Sequence, residues 1–222
     1  MENTLTSARV APLIERLYAD AAKTDELLGR MFGQLSPEDR ARRMADVNAD
    51  YRAFYGKAKE IHMAVSPETG TLLYMLARGN GARAIVEFGT SFGISTLHLA
   101  AALRDNGGGR LIGTEFEPAK LAHARANLAA AGLEDLVEIR EGDALQTLAS
   151  DLPAAIDLVL LDGHKPLYGK ILALLAPRLR PGAYLVADNA DACPEYKAQV
   201  RAPGSGYLSI PFADDVELTM KL

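Results

Sequence analysis

Residues 86–96 have the sequence V-E-F-G-T-S-F-G-I-S-T, from which the fold class can be predicted. The apolar, β-branched residues before it predict a short buried strand over residues 84–88. Gly89 and Gly93 predict a tight turn, and the apolar run that follows predicts a helix over about 94–104. A strand, a glycine turn and a helix are typical of loops that bring a nucleotide to backbone amides. Such turns also occur in α/β proteins without nucleotides, so the motif alone leaves both interpretations open.

Predicted strands and helices alternate through the rest of the chain. Further strands are predicted over about 110–115, 136–140, 156–161 and 183–187, and further helices over about 118–131, 144–149 and 167–179. Strands separated by helices favour a parallel, doubly wound sheet. The tail differs, because residues 208–210 and 216–220 are strand-like and a turn lies between them. We therefore predict an α/β fold with a Rossmann-like, mostly parallel sheet and a C-terminal antiparallel hairpin.

The N-terminal part is predicted to be helical. One amphipathic stripe consists of Val10, Leu13, Ile14, Leu17, Tyr18 and Ala21. A second helix is predicted to start at Ser36-Pro37, with a stripe of Met44, Val47, Tyr51, Phe54, Tyr55 and Ala58. A third is predicted to start at Ser66-Pro67. We expect an N-terminal helical segment over residues 1–62 and the main domain over 63–222. The stripes either pack on the core, cover a pocket or contact a homodimer partner, and the sequence leaves these open.

Composition excludes several classes of function. The chain has 222 residues and a net charge of −5, which argues against nucleic acid as a partner. Its single cysteine, Cys193, excludes an internal disulfide and a cysteine zinc cluster. No apolar run approaches the roughly 18 residues of a membrane span, and the N-terminus lacks a signal-peptide pattern. We expect a cytoplasmic enzyme that does not bind membranes.

Acidic residues follow the second and third predicted strands, where an open α/β sheet binds its ligand. Glu115 ends the second strand, in a position to accept hydrogen bonds from the ribose hydroxyls of a nucleoside. Asp143 and Ala144 follow the third strand and suit the amino group and the ring face of adenine. Asp143 is equally suited to cap the short helix that follows it.

The fourth and fifth strands end in groups that suit a metal ion. Asp162 ends the fourth strand, and Asp188 and Asn189 end the fifth. Because adjacent parallel strands end at one edge of a sheet, we expect the three side chains to meet there. Two carboxylates and an amide suit a hard divalent cation such as Mg²⁺. Lys165, three residues after Asp162, is close enough in sequence to act at the same site.

Six segments in this order resemble the cation-dependent O-methyltransferases, the family of catechol O-methyltransferase and the caffeoyl-CoA-type enzymes. They are M-A-V-S-P-E-T-G, V-E-F-G-T-S-F-G-I-S-T, G-T-E, E-G-D-A, L-D-G-H-K-P-L-Y and A-D-N. The E-x-G-x-x-x-G spacing is similar to motif I of class I S-adenosylmethionine-dependent methyltransferases. The resemblance covers about residues 63–222. It implies S-adenosylmethionine and Mg²⁺ or another divalent cation as cofactors, and a small phenolic molecule as methyl acceptor.

The resemblance also implies roles for single residues. Those that would contact the methionine part of the cofactor are Met63, Ala64 and Val65 above it and Glu87, Gly89, Ser91 and Ser95 below it. Gly93 and Asp162 are further cofactor-binding candidates. The implied metal ligands are Asp162, Asp188 and Asn189. Lys165 would be the catalytic base or a charge stabiliser. A nearby divalent cation is expected to disfavour its ammonium form and so help it accept the phenol proton.

The sequence departs from the family at the acceptor site. Gly163-His164 stands where family members often have Ala-Asp or His-Trp, and the chain has no tryptophan. His164 therefore either replaces an aromatic gate or is an exposed loop residue. Tyr168, Tyr196 and Cys193 are weaker candidates for the pocket. Two alternative functions remain: an S-adenosylmethionine-binding protein without catechol activity, and an NAD-linked oxidoreductase.

Overall fold

The computed structural model describes residues 3–213 and 215–222. In this part of the chain the helices are α1 (Ala11–Gly33), α2 (Pro37–Ala49), α3 (Tyr51–Lys57), α4 (Pro67–Gly79), α5 (Ile94–Asp105), α6 (Pro118–Ala131), α7 (Ala144–Thr147), α8 (Tyr168–Leu175) and α9 (Pro194–Arg201). The strands are β1 (Ala84–Phe88), β2 (Arg110–Glu115), β3 (Val137–Glu141), β4 (Ile156–Leu161), β5 (Leu179–Ala187), β6 (Tyr207–Phe212) and β7 (Val216–Lys221).

The described strands form one sheet in the order β3-β2-β1-β4-β5-β7-β6. Strands β1 to β5 are parallel, whereas β7 runs antiparallel to both β5 and β6. The predicted Rossmann-like, mostly parallel sheet with a C-terminal antiparallel hairpin is confirmed. The order reverses at β1, which lies between β2 and β4, and open sheets of this kind bind ligands at the carboxyl ends of such strands.

Alternate residues of the central strands face two apolar layers, because successive side chains of a strand point to opposite faces. Ile85 packs in a layer with residues of α1, α4, α5 and α6. Its neighbour Val86 packs in a second layer with residues of α8 and α9. Both side chains are fully buried. Helices therefore cover both faces of the parallel part of the sheet, and the strand ends are left to form a site.

The second predicted helix is interrupted, and this part of the sequence prediction was wrong. The stripe from Met44 to Ala58 is divided between α2 and α3, which meet at Asp50. The Asp50 Oδ1 atom accepts a hydrogen bond from the Ala53 N–H at 3.0 Å and so caps α3. A short acidic side chain competes for backbone N–H groups in this way and favours a new helix start over continuation.

The end of α8 and the start of β5 differ from the prediction, and one helix was not predicted. The helix predicted to reach residue 179 ends at Leu175 and continues as a 3₁₀ turn over Ala176–Arg178. Pro177, which cannot donate a backbone hydrogen bond, explains the end of the α-helix. Strand β5 consequently starts at Leu179, four residues before the predicted 183. Helix α9 was not predicted, since its eight residues carry a weak apolar pattern between Pro194 and Arg201.

The two N-terminal stripes have different surroundings. The stripe of α1 is buried in the core of the same chain through Val10, Leu13, Ile14, Leu17 and Ala21. The stripe of α2 and α3 lines a cavity through Met44, Val47, Tyr51, Phe54 and Tyr55. The homodimer therefore stays a prediction. Among the described residues, no helix combines the length and the apolar character needed to cross a membrane.

Candidate active site

A cavity of about 510 Å³ lies at the carboxyl ends of the parallel strands. The residues proposed from sequence that line it are Met63, Ala64, Gly89, Ser91, Glu115, Asp143, Ala144, Asp162, Lys165, Asp188 and Asn189. A small recess next to it is lined by Val65 and Ser95 together with Met63, Ala64, Gly89 and Ser91. Of the proposed residues, Glu87 and Gly93 belong to neither lining. The structure thus brings most of the candidates together around one volume that suits a small-molecule ligand.

The glycine loop after β1 depends on Gly89. Its φ of +98° lies in the left-handed region, and a Cβ atom there would be 2.6 Å from the backbone oxygen of Asp162. The Asp162 N–H donates to the Phe88 carbonyl at 2.8 Å, which joins the ends of β1 and β4. Only glycine permits this approach, so the loop lies directly against the backbone of Asp162. Gly93, with a φ of +85°, precedes the first residue of α5.

Glu87 lies below this loop and is fully buried. Its carboxylate accepts hydrogen bonds from Ser95 Oγ at 2.6 Å, Thr96 Oγ1 at 2.6 Å and Thr90 Oγ1 at 2.9 Å. Burial raises the pKa of Glu87 to about 7, although the three hydroxyl groups act in the opposite direction. The geometry gives Glu87 a direct role in holding the loop and the start of α5 together.

The burial of Glu87 leads to a prediction for the pH dependence of stability. Between its usual pKa of 4.5 and about 7, the folded protein holds a proton that the unfolded chain has lost. The free energy of unfolding therefore falls as the pH rises through this window, by up to about 3 kcal/mol. Glu87→Gln removes this dependence, so the stability of the wild-type protein relative to the variant should fall from pH 4.5 to 8. Urea unfolding of both proteins measures it, and parallel curves across the window would contradict the assignment.

Glu115 is more heavily engaged than the sequence suggested. Its Oε1 accepts from the N–H groups of Phe116 at 2.8 Å and Glu117 at 2.9 Å, and its Oε2 accepts from the Ser91 N–H at 2.9 Å. A carboxylate has about four acceptor sites. These bonds join β2 to the glycine loop and leave about one acceptor site, on Oε2, for a ligand hydroxyl.

Asp143 caps α7, as one of the two sequence interpretations proposed. Its Oδ1 accepts from the Leu145 N–H at 2.9 Å, and its Oδ2 accepts from the guanidinium of Arg52 at 2.8 Å. Arg52 belongs to α3, so the ion pair ties this helix to the turn after β3. Asp143 also lines the cavity, and the cap does not exclude a contact between this residue and a ligand.

Met63 has an unusual backbone conformation at the edge of the cavity. Its φ is +51°, in the left-handed region that a side chain disfavours. The Met63 N–H donates to Asp25 Oδ1 at 3.0 Å, and the Ser91 hydroxyl donates to the neighbouring His62 carbonyl at 2.6 Å. These bonds hold the segment before α4 against the glycine loop. They place Met63 and Ala64 at the boundary between the cavity and the recess.

The ends of β4 and β5 bring two carboxyl groups and an ammonium together. The Lys165 ammonium donates to Asp162 Oδ1 at 2.9 Å and to the Tyr168 hydroxyl at 3.0 Å. The Tyr168 hydroxyl donates to the Asp188 carbonyl at 2.8 Å. The amide nitrogen of Asn189 donates to Asp215 Oδ2 at 2.9 Å, so the amide oxygen is the atom of this side chain that could act as a metal ligand.

Burial and the closeness of charged groups shift the pKa values of the two acids and the lysine in this cluster. Burial raises the pKa of Asp162, and burial together with the Asp162 carboxylate raises the pKa of Asp188. Burial alone would lower the pKa of Lys165, but Asp162, Tyr168 and Asp188 raise it well above its usual value. The protein's own groups therefore favour the ammonium form of Lys165. The sequence-based expectation was the opposite, because it assumed that a nearby divalent cation would disfavour this form.

An aromatic wall closes the cavity on the side of α3. The rings of Tyr51 and His164 stack with 4.4 Å between centroids and 11° between planes. Tyr55 meets the His164 ring edge-on at 6.2 Å, and Phe116 meets Tyr51 edge-on at 6.1 Å. His164 is 8% exposed, so the alternative of an exposed loop residue is wrong. Burial and Lys165 lower the pKa of His164, which favours a neutral imidazole in this wall.

The weaker candidates lie behind the cavity. Tyr168 and Tyr196 are buried in the second apolar layer and are not among the cavity residues. Cys193 is buried too, and its thiol donates to the Lys165 carbonyl at 3.1 Å. Sequence reasoning missed Lys120 and Asp25, which line the cavity. Each lies on a helix where a charged residue is ordinarily exposed, so the sequence contained no signal for them.

Comparison with known proteins places this architecture in a family. The sequence profile of a methyltransferase domain matches residues 86–190. A catechol O-methyltransferase of Niastella koreensis is 38% identical over 130 residues, which cover 57% of this chain and 58% of that protein. The chain spans less than two thirds of the length of the curated relatives it matches.

Solved structures of O-methyltransferases are also similar to this chain. The O-methyltransferase TomG from Streptomyces achromogenes, which is involved in tomaymycin synthesis and was solved with S-adenosylmethionine, is 31% identical with a TM-score of 0.59. The match covers 72% of this chain and 82% of TomG. An O-methyltransferase from Bacillus cereus, 22% identical with a TM-score of 0.63 over 94% of this chain and 100% of that one, shares the fold. The chain belongs to the class I S-adenosylmethionine-dependent O-methyltransferase family, which replaces the NAD-linked alternative.

Proposed function

We propose that the protein transfers a methyl group from S-adenosylmethionine to one hydroxyl of a catechol-like or other vicinal-oxygen small molecule, assisted by a divalent cation and Lys165. The observation that carries the proposal is that Asp162, Asp188, Asn189 and Lys165 line the same cavity as the glycine loop. A methyl donor held by that loop and an acceptor held at the strand ends would share one volume. Positioning two reactants in this way supplies much of the rate enhancement of a displacement reaction.

The donor would lie along the loop and the ends of β1 and β2. Gly89 and Ser91 would lie below its methionine part, Met63 and Ala64 above it, and Asp143 and Ala144 beside its adenine. The free acceptor site on Glu115 Oε2 suits one ribose hydroxyl. Glu87, Gly93 and Ser95 would hold the loop in place from outside the cavity. The Glu87 carboxylate accepts from the Ser95 hydroxyl and does not line the cavity.

The strand ends fit a hard divalent cation in the kind of ligands they offer. Burial raises the pKa of both Asp162 and Asp188, and the Asp162 carboxylate raises that of Asp188 further. A cation between the two carboxyl groups would favour their ionised forms. Asp215 accepts a hydrogen bond from the Asn189 amide nitrogen, and the amide oxygen would be the ligand atom. Among the described residues no cluster of three or more His, Cys, Asp or Glu side chains forms a metal site, so the proposed set depends on the amide. When bound, Mg²⁺ would lower the pKa of a chelated hydroxyl.

The remaining residues act on the acceptor directly. The Lys165 ammonium, anchored by Asp162 and Tyr168, would stabilise the negative charge of the ionised acceptor oxygen. Tyr51, Tyr55 and the neutral His164 would pack against its ring and exclude water. The chemistry is a single displacement, in which the acceptor oxygen forms a bond to the methyl carbon as the bond from that carbon to sulfur breaks.

The test is methyl transfer from labelled S-adenosylmethionine, measured with Mg²⁺ and again with EDTA. Catechol should be methylated only in the presence of Mg²⁺. Resorcinol serves as the matched control, because its hydroxyls are too far apart to chelate one cation and it should give little product. Methyl transfer that continues in EDTA would show that the reaction does not require a divalent cation. Binding of S-adenosylmethionine without transfer to any vicinal diol would favour the binding protein without catechol activity.

A further inference from the structure

Lys120 is a buried lysine that the proposed chemistry does not use. It lies in the first turn of α6, is 4% exposed and lines the cavity. Lysine is seldom buried to this degree unless it is paired. Within the described part of the chain its ammonium donates one hydrogen bond, to the Ser91 hydroxyl at 3.2 Å, and lies 5.8 Å from the centroid of the Phe92 ring. An ammonium can donate three hydrogen bonds, so this one has capacity for a further partner.

The ammonium of Lys120 also lacks a direct counter-ion. Across residues 3–213 and 215–222, no carboxylate oxygen lies within 4.0 Å of its nitrogen. Glu115, Asp162 and Asp25 act on it from greater distances, and burial lowers its pKa. Lys165, the other lysine of the cavity, has Asp162 at 2.9 Å. A buried charge without a partner destabilises a protein, and an anionic ligand in the cavity would compensate it.

We propose that the Lys120 ammonium binds the carboxylate of the methionine part of S-adenosylmethionine. The inference rests on the proposed function. S-adenosylmethionine carries one anionic group, and its sulfonium and amino groups are cations that a lysine repels. Lys120 contacts Ser91, which is shared by the cavity and the recess and whose hydroxyl binds the segment before Met63. The methionine part is proposed for that place, whereas a catechol has no carboxylate and is proposed to lie near Lys165.

The pairing would also orient the donor. With the carboxylate held at Ser91 and Lys120, the two cationic groups of the methionine part must point away from the lysine. Asp25, whose Oδ1 accepts from the Met63 N–H, and Asp162 are acidic residues of the cavity lining that could receive these cationic groups. Lys120 is therefore a specificity-determining residue for the amino-acid end of the donor and makes no contact with the reacting oxygen.

A thermodynamic cycle tests the pairing by calorimetric titration. The ligands are S-adenosylmethionine and its decarboxylated analogue, which lacks only the carboxylate. The proteins are the wild type, Lys120→Met and, as a control, Arg125→Gln, which removes an exposed charge from the same helix. Removing the carboxylate should weaken binding to the wild type and the control by about 10- to 100-fold more than binding to Lys120→Met, as expected for a hydrogen bond between charged groups.

Each outcome decides a different claim. If loss of the carboxylate weakens binding equally in the wild type and Lys120→Met, the inference is overturned while the proposed function stands. If the wild type binds neither ligand, the proposed function fails and the inference with it. Thermal melts separate a structural role: the unliganded Lys120→Met protein should melt at or above the wild-type temperature, because it lacks the unpaired buried charge. A lower melting temperature with unchanged affinity for S-adenosylmethionine would overturn the pairing.

Discussion

Replacing Asp188 with alanine is expected to lower Mg²⁺-dependent methyl transfer by at least about 100-fold. Mutating a residue that only supports a metal ligand typically lowers metal affinity or activity by about 10- to 100-fold. Asp188 is proposed as a ligand itself, so a larger loss is expected. The variant removes the carboxyl group of Asp188, which is buried at the end of β5 next to the end of β4. The rate with labelled S-adenosylmethionine and catechol at saturating Mg²⁺ measures the effect.

The control for this variant is Asp191→Ala. Asp191 is exposed, lies three residues further along the chain and is absent from the cavity lining. It should retain the wild-type rate. Affinity for S-adenosylmethionine should stay close to that of the wild type in both variants, since Asp188 is not proposed to contact the donor. An Asp188→Ala enzyme with full Mg²⁺-dependent activity would show that the cation is held elsewhere.

Lys165→Met is expected to lower kcat by about 10²- to 10⁴-fold, the range for a group that acts on the reacting atoms. The side chain keeps most of its length but loses the ammonium that Asp162 and Tyr168 hold in place. Because the group is proposed to stabilise charge that develops in the reaction, KM for the acceptor should change much less than kcat. Steady-state kinetics at varied catechol concentration separates the two constants.

The exposed Lys170 provides the matched control for this second variant. Lys170→Met removes a charge near the start of α8 without touching the cavity lining, and its kinetics should be those of the wild type. A Lys165→Met enzyme with unchanged kcat and a raised KM would instead assign Lys165 to acceptor binding. Circular dichroism melts confirm that both variants are folded before the kinetic constants are compared.

Most strands of the fold were predictable from short sequence patterns. Short, mostly apolar runs predicted β1, β2 and β4, since a strand covered by helices on both faces exposes few side chains to water. The hairpin was evident because its residues alternate in character. The break at Asp50 was missed since the apolar stripe continues across it, and periodicity does not reveal a cap that splits one helix into two.

The site was predictable where topology alone determines it. Asp162 and Asp188 end adjacent parallel strands, and parallel strands carry such residues to one edge of the sheet. What periodicity could not give is the environment of residues on helices: the burial of Lys120 and the stacking of Tyr51 on His164 depend on how α3 and α6 pack against the strand ends. Likewise, the three N–H groups on Glu115 come from loops whose conformation no sequence pattern specified.

A titration with Mn²⁺ in the presence of S-adenosylmethionine, followed by electron paramagnetic resonance, tests whether the ends of β4 and β5 hold a divalent cation. We expect one bound Mn²⁺ per chain in the wild type and a spectrum that changes when catechol is added. Binding should be lost in Asp188→Ala but not in Asp191→Ala. If Mn²⁺ does not bind, or binds equally well without the Asp188 carboxylate, the ends of β4 and β5 do not hold a catalytic cation.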